Sequence, residues 1–154
     1  MALRRVARRS EIFAFNTALV RLTHLLRPGT LRPGLIEGTL SRLAAEVPDW
    51  SGGTRIGECL RAFTERYLAS LVDRQTVVLI LSDGLDRGDV APVAAAMRAL
   101  RARARGILWL NPLAGDARYQ PTARAMTAAL PYVDRLLPAH NLESLERLLP
   151  HLSV

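Results

Sequence analysis

Two short polar runs in the chain carry groups able to bind a cation. One is Ser51-Gly52-Gly53-Thr54, which opens a helical pattern. The other is Ser82-Asp83-Gly84, which follows a continuous apolar run. Hydroxyl and carboxylate oxygens are hard donors, of the kind Mg²⁺ takes while keeping part of its water. Two simpler roles compete with that chemistry: Thr54 as a helix cap and Asp83 as a turn former. A strict capping box is absent, because Glu58 stands four residues after Thr54 where the motif needs three. Asp86 and Asp89 add carboxylates beside Asp83 and raise an alternative, a metal-assisted hydrolase or phosphotransferase. No Lys or His stands near these loops as a base, which argues against turnover. Asp89 is placed to cap the helix that follows.

The other reactive residue types form no constellation. His24, His140 and His151 lack metal-ligand spacing. Cys59, the only cysteine, sits beside the apolar stripe of its helix and reads as a buried spectator thiol. Trp50 precedes the Gly-Gly loop, either as a wall of the site and a partner contact or as core. Trp109 reads as core. Neither G-x-G-x-x-G nor G-x-x-x-x-G-K-[ST] occurs.

The elements that must position these loops follow from hydrophobic period. Residues 10–17 alternate and predict a strand; residues 19–26 predict a second, short one. Residues 35–47 read as a helix, with Leu35, Leu40, Leu43, Ala44 and Val47 on one side. Ile56, Leu60, Phe63, Tyr67 and Leu71 recur at three and four residues and predict a helix ending at Arg74 and Gln75. Thr76 to Leu81 is apolar and unbroken, the pattern of a strand buried on both faces of a parallel sheet. A helix with Val93, Met97, Leu100 and Ala104 on one face leads to a second buried strand at residues 107–110. A helix at 119–130, a strand at 132–137 and a helix at 142–149 capped by Asn141 complete the order. The alternation predicts an α/β fold with a mostly parallel, Rossmann-like sheet flanked by helices.

Composition bounds the function. The chain has 154 residues, 49% of them hydrophobic and 23% charged, and reads as one folded domain. No apolar run approaches the ~20 residues of a membrane helix. One cysteine and no secretory-type leader point to the cytoplasm. The net charge of +7 rests on 21 arginines and no lysine. The arginines are dispersed along helices and aromatics are 5%, so nucleic-acid binding is not expected.

The segments PDWSGGTRIGECL (residues 48–60), VVLILSDGLDRGD (77–89), ILWLNPL (107–113) and ALPYVDRLLPAHNLESLERL (129–148) resemble the von Willebrand factor A (VWA) domains of the CoxE-like group. The resemblance covers most of the chain, in order. It implies a six-stranded, mostly parallel sheet and a metal-ion-dependent adhesion site. In that site Thr54 is the second-loop ligand and Asp83 the third-loop ligand, acting through water. It further implies a non-enzymatic module that binds a partner's carboxylate. Such a module works with a MoxR-type AAA+ ATPase in the maturation of a client metalloenzyme such as carbon monoxide dehydrogenase. Ser51, Gly53, Trp50 and Asp86 are the expected partner contacts.

The sequence also departs from that family. The first-loop Asp-x-Ser-x-Ser is absent, and residues 1–9 resemble the tail of the family's first helix. The whole chain, 1–154, therefore reads as a single VWA-like domain without its first strand and most of its first helix. Two oxygen donors predict weak or no Mg²⁺ binding. With adjacent strands ~4.8 Å apart, omitting a central strand leaves a slot ~10 Å wide, so the strands at 12–17 and 76–81 either close up or keep free edges.

Overall fold

The computed structural model of the protein describes residues 9–26, 36–47, 53–148 and 150. Two strands, β1 (Phe13–Phe15) and β2 (Leu19–Arg21), form an antiparallel hairpin with Ala14 opposite Val20. Helix α1 (Ile36–Glu46), helix α2 (Ile56–Arg66) and the short α3 (Leu68–Leu71) follow. Then come β3 (Val77–Leu81), α4 (Ala91–Arg103), β4 (Gly106–Asn111), α5 (Arg124–Ala129), β5 (Arg135–Pro138) and α6 (Leu142–Glu146). The three later strands make a parallel sheet in the order β3-β4-β5. Leu79 lies beside Leu108, and Leu110 beside Leu137. This is the α/β layering that the alternating elements predict.

The main core cluster lies on one face of that sheet, while Leu108 and Leu110 of β4 are buried on the other. Ile80, Ile107 and Trp109 point into the main cluster and meet Ile56 and Leu60 of α2, Val93, Met97 and Leu100 of α4, and Met126 of α5. These residues are all within 8% of full burial, and Ile56, Val93, Met97, Ile107, Trp109 and Met126 are completely enclosed. The three-and-four spacing in α2 and α4 produces this contact directly, because those steps align side chains on one stripe. A smaller cluster of Leu22, Leu25 and Val47 joins the hairpin to α1, with Leu43 packed against it. Ala44, expected on that side, stays exposed.

Several expectations are corrected. The helix expected to reach Leu71 breaks at Tyr67, whose backbone (φ −124°, ψ −21°) leaves the helical range. Tyr67 instead turns its ring onto Phe13, with centroids 4.9 Å apart, and the Arg21 guanidinium lies 5.8 Å from the Tyr67 ring. The helix expected from Tyr119 begins only at Arg124, so Pro121 precedes it and does not occupy its first turn. The strand expected at 132–137 is shifted to Arg135–Pro138, because Leu130–Tyr132 forms a 3-10 turn around Pro131. Asn141 caps α6 as expected: its Oδ1 accepts from Ser144 N at 2.8 Å, and Ser144 Oγ accepts from Asn141 N at 3.2 Å.

The largest correction concerns β3, which is not buried on both faces. Leu79 is 40% and Leu81 57% exposed, while Ile80 between them is 4% exposed. Side chains alternate across a strand, so Ile80 enters the core and its neighbours project from the opposite face. The edge is open as well. Ser82 N donates to Leu110 O at 3.0 Å, so the even-numbered residues of β3 direct their backbone groups to β4. Those of Val77, Leu79 and Leu81 face away, and among the described residues no strand pairs with them. The two sheets thus stay separate and do not close up into one.

An apolar strand with a free edge invites association with a second chain. The unaltered chain should therefore self-associate in a concentration-dependent way in sedimentation velocity, and replacing both Leu79 and Leu81 by lysine should abolish this. Because both side chains project from the core, stability should change by no more than ~0.5 kcal/mol per site. Association undiminished in the double variant would show that the β3 edge is not its source.

Candidate functional site at the carboxyl ends of the strands

In an open parallel sheet, the loops beyond the carboxyl ends of the strands are the usual place for a site. Here the 82–90 loop leaves β3 at that end and lies against the start of α2. Arg87 N donates to Thr54 O at 3.0 Å. Asp86 accepts from Ile56 N (3.2 Å) and Gly57 N (3.3 Å), and from Gly88 N (2.9 Å) in its own loop. The first N–H groups of a helix have no partner within it. Asp86 supplies them from a segment 30 residues away in sequence, and its negative charge sits at the positive end of the helix dipole. Arg55, the residue preceding α2, makes no side-chain cap. Thr54 therefore does not cap α2. Gly53, with φ +77°, turns the chain into this contact beside the Arg87 side chain.

Asp83 adopts the turn-forming role that competed with metal ligation. Its Oδ1 accepts from Leu85 N at 2.9 Å. Asp89 behaves similarly at the start of α4, accepting from Ala91 N at 3.1 Å. Gly84 holds φ +82° and leaves no room for a side chain, since a Cβ there would lie 2.9 Å from Met126 Cβ. Trp109 Nε1 donates to Ser82 O at 2.9 Å and pins the first residue of the loop to the core. Cys59 is buried at the foot of this region, its Sγ donating to Asn16 O at 3.6 Å. Burial pushes its thiol pKa up, against the opposing hydrogen bond to Asn16.

Two residues that sequence reasoning passed over complete the rim. Asn111, the last residue of β4, is wholly buried. Its Nδ2 donates to Asp83 O (3.2 Å) and to Tyr119 Oη (2.7 Å), and its Oδ1 accepts from Leu113 N (2.8 Å). Burial, and then the negative charge of Asp83, raise the Tyr119 phenol above its ordinary pKa. Leu113 and Tyr119, with Asp116 and Arg118, line a shallow, open depression of the surface. Leu85 and Leu113 are 62% and 51% exposed. The only sequence signal for Asn111 was its position at the end of an apolar strand before a proline.

Gly53, Thr54, Asp83 and Asp86 thus all belong to two loops joined to each other. Ser51 and Trp50 lie outside the described residues. A bound Mg²⁺ does not fit the donor set described here. Among the described residues, no three of His, Cys, Asp and Glu converge on one point. The Thr54 hydroxyl and the Asp83 carboxylate supply two donor groups, and one Asp83 oxygen already serves Leu85 N. Mg²⁺ demands near-octahedral oxygen coordination and gives up its water reluctantly, so two groups hold it poorly. No helix among the described residues is long and apolar enough to cross a membrane.

A parallel α/β sheet with its polar loops gathered at the carboxyl end is the architecture expected of a VWA-type domain. The family of VWA domain-containing CoxE-like proteins matches residues 1–145, and the chain belongs to that family. No curated protein and no solved structure matches it.

Proposed function

We propose that the protein is a non-enzymatic protein-binding module. In this reading the rim around Asp83 contacts a MoxR-type AAA+ ATPase during maturation of a client metalloenzyme such as carbon monoxide dehydrogenase, in the cytoplasm. The observation that supports it is the rim itself. Exposed Leu85 and Leu113 stand on loops tied down by the hydrogen bonds that their own amides donate to Asp83 and Asn111, and Asp83 adds a carboxylate to the same rim. Apolar side chains on an ordered polar surface suit a protein contact, because their burial supplies affinity while the fixed loops cost little ordering entropy. Thr54, Gly53 and Asp86 form the adjoining edge, and Ser51 and Trp50 belong to the same loop in sequence. In this reading the contact is made without a bridging ion, since Thr54 and Asp83 alone supply too few donors to hold Mg²⁺ tightly.

Surface plasmon resonance with a purified MoxR-type ATPase from the same organism tests this. The unaltered chain should bind, and chelation by EDTA should leave the affinity within about twofold. Asp83→Ala combined with Leu113→Asp should weaken binding at least tenfold, which is about 1.4 kcal/mol. An unaltered chain that does not bind would overturn the reading.

A further inference from the structure

We propose that Asn111 is the positioning residue of this contact rim, setting Asp83, Leu113 and Tyr119 in one arrangement; the proposal rests on the protein-binding reading above. A buried asparagine needs its donors and its acceptor satisfied, and any neighbours would serve. Here each goes to a different rim segment. One N–H holds the carbonyl of Asp83 in the loop after β3. The other holds the hydroxyl of Tyr119, eight residues further along the chain. The side-chain oxygen holds the amide of Leu113, the second residue of the 3-10 turn Pro112–Gly115.

The side chain that organises the rim is itself anchored in the sheet. Asn111 pairs with Pro138 across the β4–β5 ladder, and its backbone carbonyl accepts from Ala139 N at 3.0 Å. The strand thus serves as a rigid base and the amide as a three-way clamp on mobile-type elements, the loops. Two of the four residues lining the adjoining shallow depression, Leu113 and Tyr119, take their position from this one group. Asp83 passes the constraint on, since its carboxylate fixes Leu85 N. Both exposed leucines are therefore placed through Asn111, one directly and one through Asp83. Without the clamp, the two leucines are presented in many arrangements, and a partner must select among them at the expense of affinity.

Hydrogen exchange and ATPase binding, measured on the full chain, test the clamp. Asn111→Asp keeps an acceptor for Leu113 and removes both donated bonds. The amide of Leu85 should then exchange at least tenfold faster, with the amides of Ile80 and Leu108 unchanged. Affinity for the MoxR-type ATPase should fall at least tenfold. Tyr119→Phe removes a single hydroxyl from a partly exposed side chain; it should speed exchange across residues 118–120 and weaken binding about threefold. If Asn111→Asp fails to fold, Tyr119→Phe decides alone: unchanged exchange and unchanged affinity overturn the proposal. Faster rim exchange with unaltered affinity also overturns it. Exchange reads the clamp without a partner, so failure of the unaltered chain to bind the ATPase counts against the function and not against the clamp.

Discussion

Replacing Trp109 by alanine should destabilise the protein by about 3–5 kcal/mol, the cost of removing a large aromatic side chain from a packed core. Trp109 is wholly enclosed, between Ile80 on one side and the helices on the other. It is the bulkiest of the fully buried side chains in the cluster that α2, α4 and α5 share with the sheet, so its removal leaves a large void. Domains of this size are stable by only about 5–15 kcal/mol, and the variant loses a large share of that. In urea, with a slope of about 2 kcal/mol/M, the unfolding midpoint should drop by about 2 M. A drop under about 0.5 M, or ~1 kcal/mol at that slope, would mean that the indole is not part of the core.

The more conservative Trp109→Phe separates packing from the hydrogen bond. Phenylalanine retains much of the ring but leaves Ser82 O without the donor now 2.9 Å away. A cost of about 1–3 kcal/mol is expected for a partly buried acceptor left unpaired. The loss falls at the first residue of the Asp83 loop, so core and rim are coupled at this position.

Gly57→Ala should destabilise by about 1–3 kcal/mol, although alanine is the better helix former. The propensity difference favours alanine by about 1 kcal/mol. Against it, a Cβ at position 57 would lie 2.6 Å from Asp89 O and 3.3 Å from Val93 Cγ2. The near atom is a backbone carbonyl at the start of α4, so it cannot swing aside as a flexible side chain would. Overpacking of this kind costs about 1–3 kcal/mol and forces backbone shifts, and here the clash outweighs propensity. The same shift would pull on Gly57 N, which donates to Asp86. Gly38 in α1 provides the opposite sign, since nothing lies within 4 Å of a Cβ there. Gly38→Ala should be neutral or stabilising by up to about 1 kcal/mol. Thermal denaturation of the two variants side by side checks the argument; a stabilised Gly57→Ala would show that α2 and α4 are further apart than the structure places them.

The pattern of residues alone determined the order of elements, the α/β class and most of the core. Ile56, Leu60, Val93, Met97 and Leu100 are legible because helical burial repeats every three or four residues, and that period is written in the chain itself. A cap within a few residues of its helix, such as Asn141, is legible for the same local reason, whereas Asp89, expected to cap α4, stands one residue before the cap position Val90 and makes a turn contact to Ala91 N. The resemblance to the CoxE-like VWA family rested on ordered segments and is borne out over residues 1–145. What only the tertiary structure decided lies at long sequence separation. The sequence offers Asp86 as a partner contact or as an added carboxylate beside Asp83, yet it caps a helix that begins 30 residues earlier. The clamp formed by Asn111 has no local signature, since the groups that give Asn111 its meaning arrive from 28 residues before it and eight after. β3 read as buried on both faces because its residues are apolar on both. Whether a strand's second face is covered depends on which elements come to lie against it, and only the assembled fold shows Leu79 and Leu81 standing open.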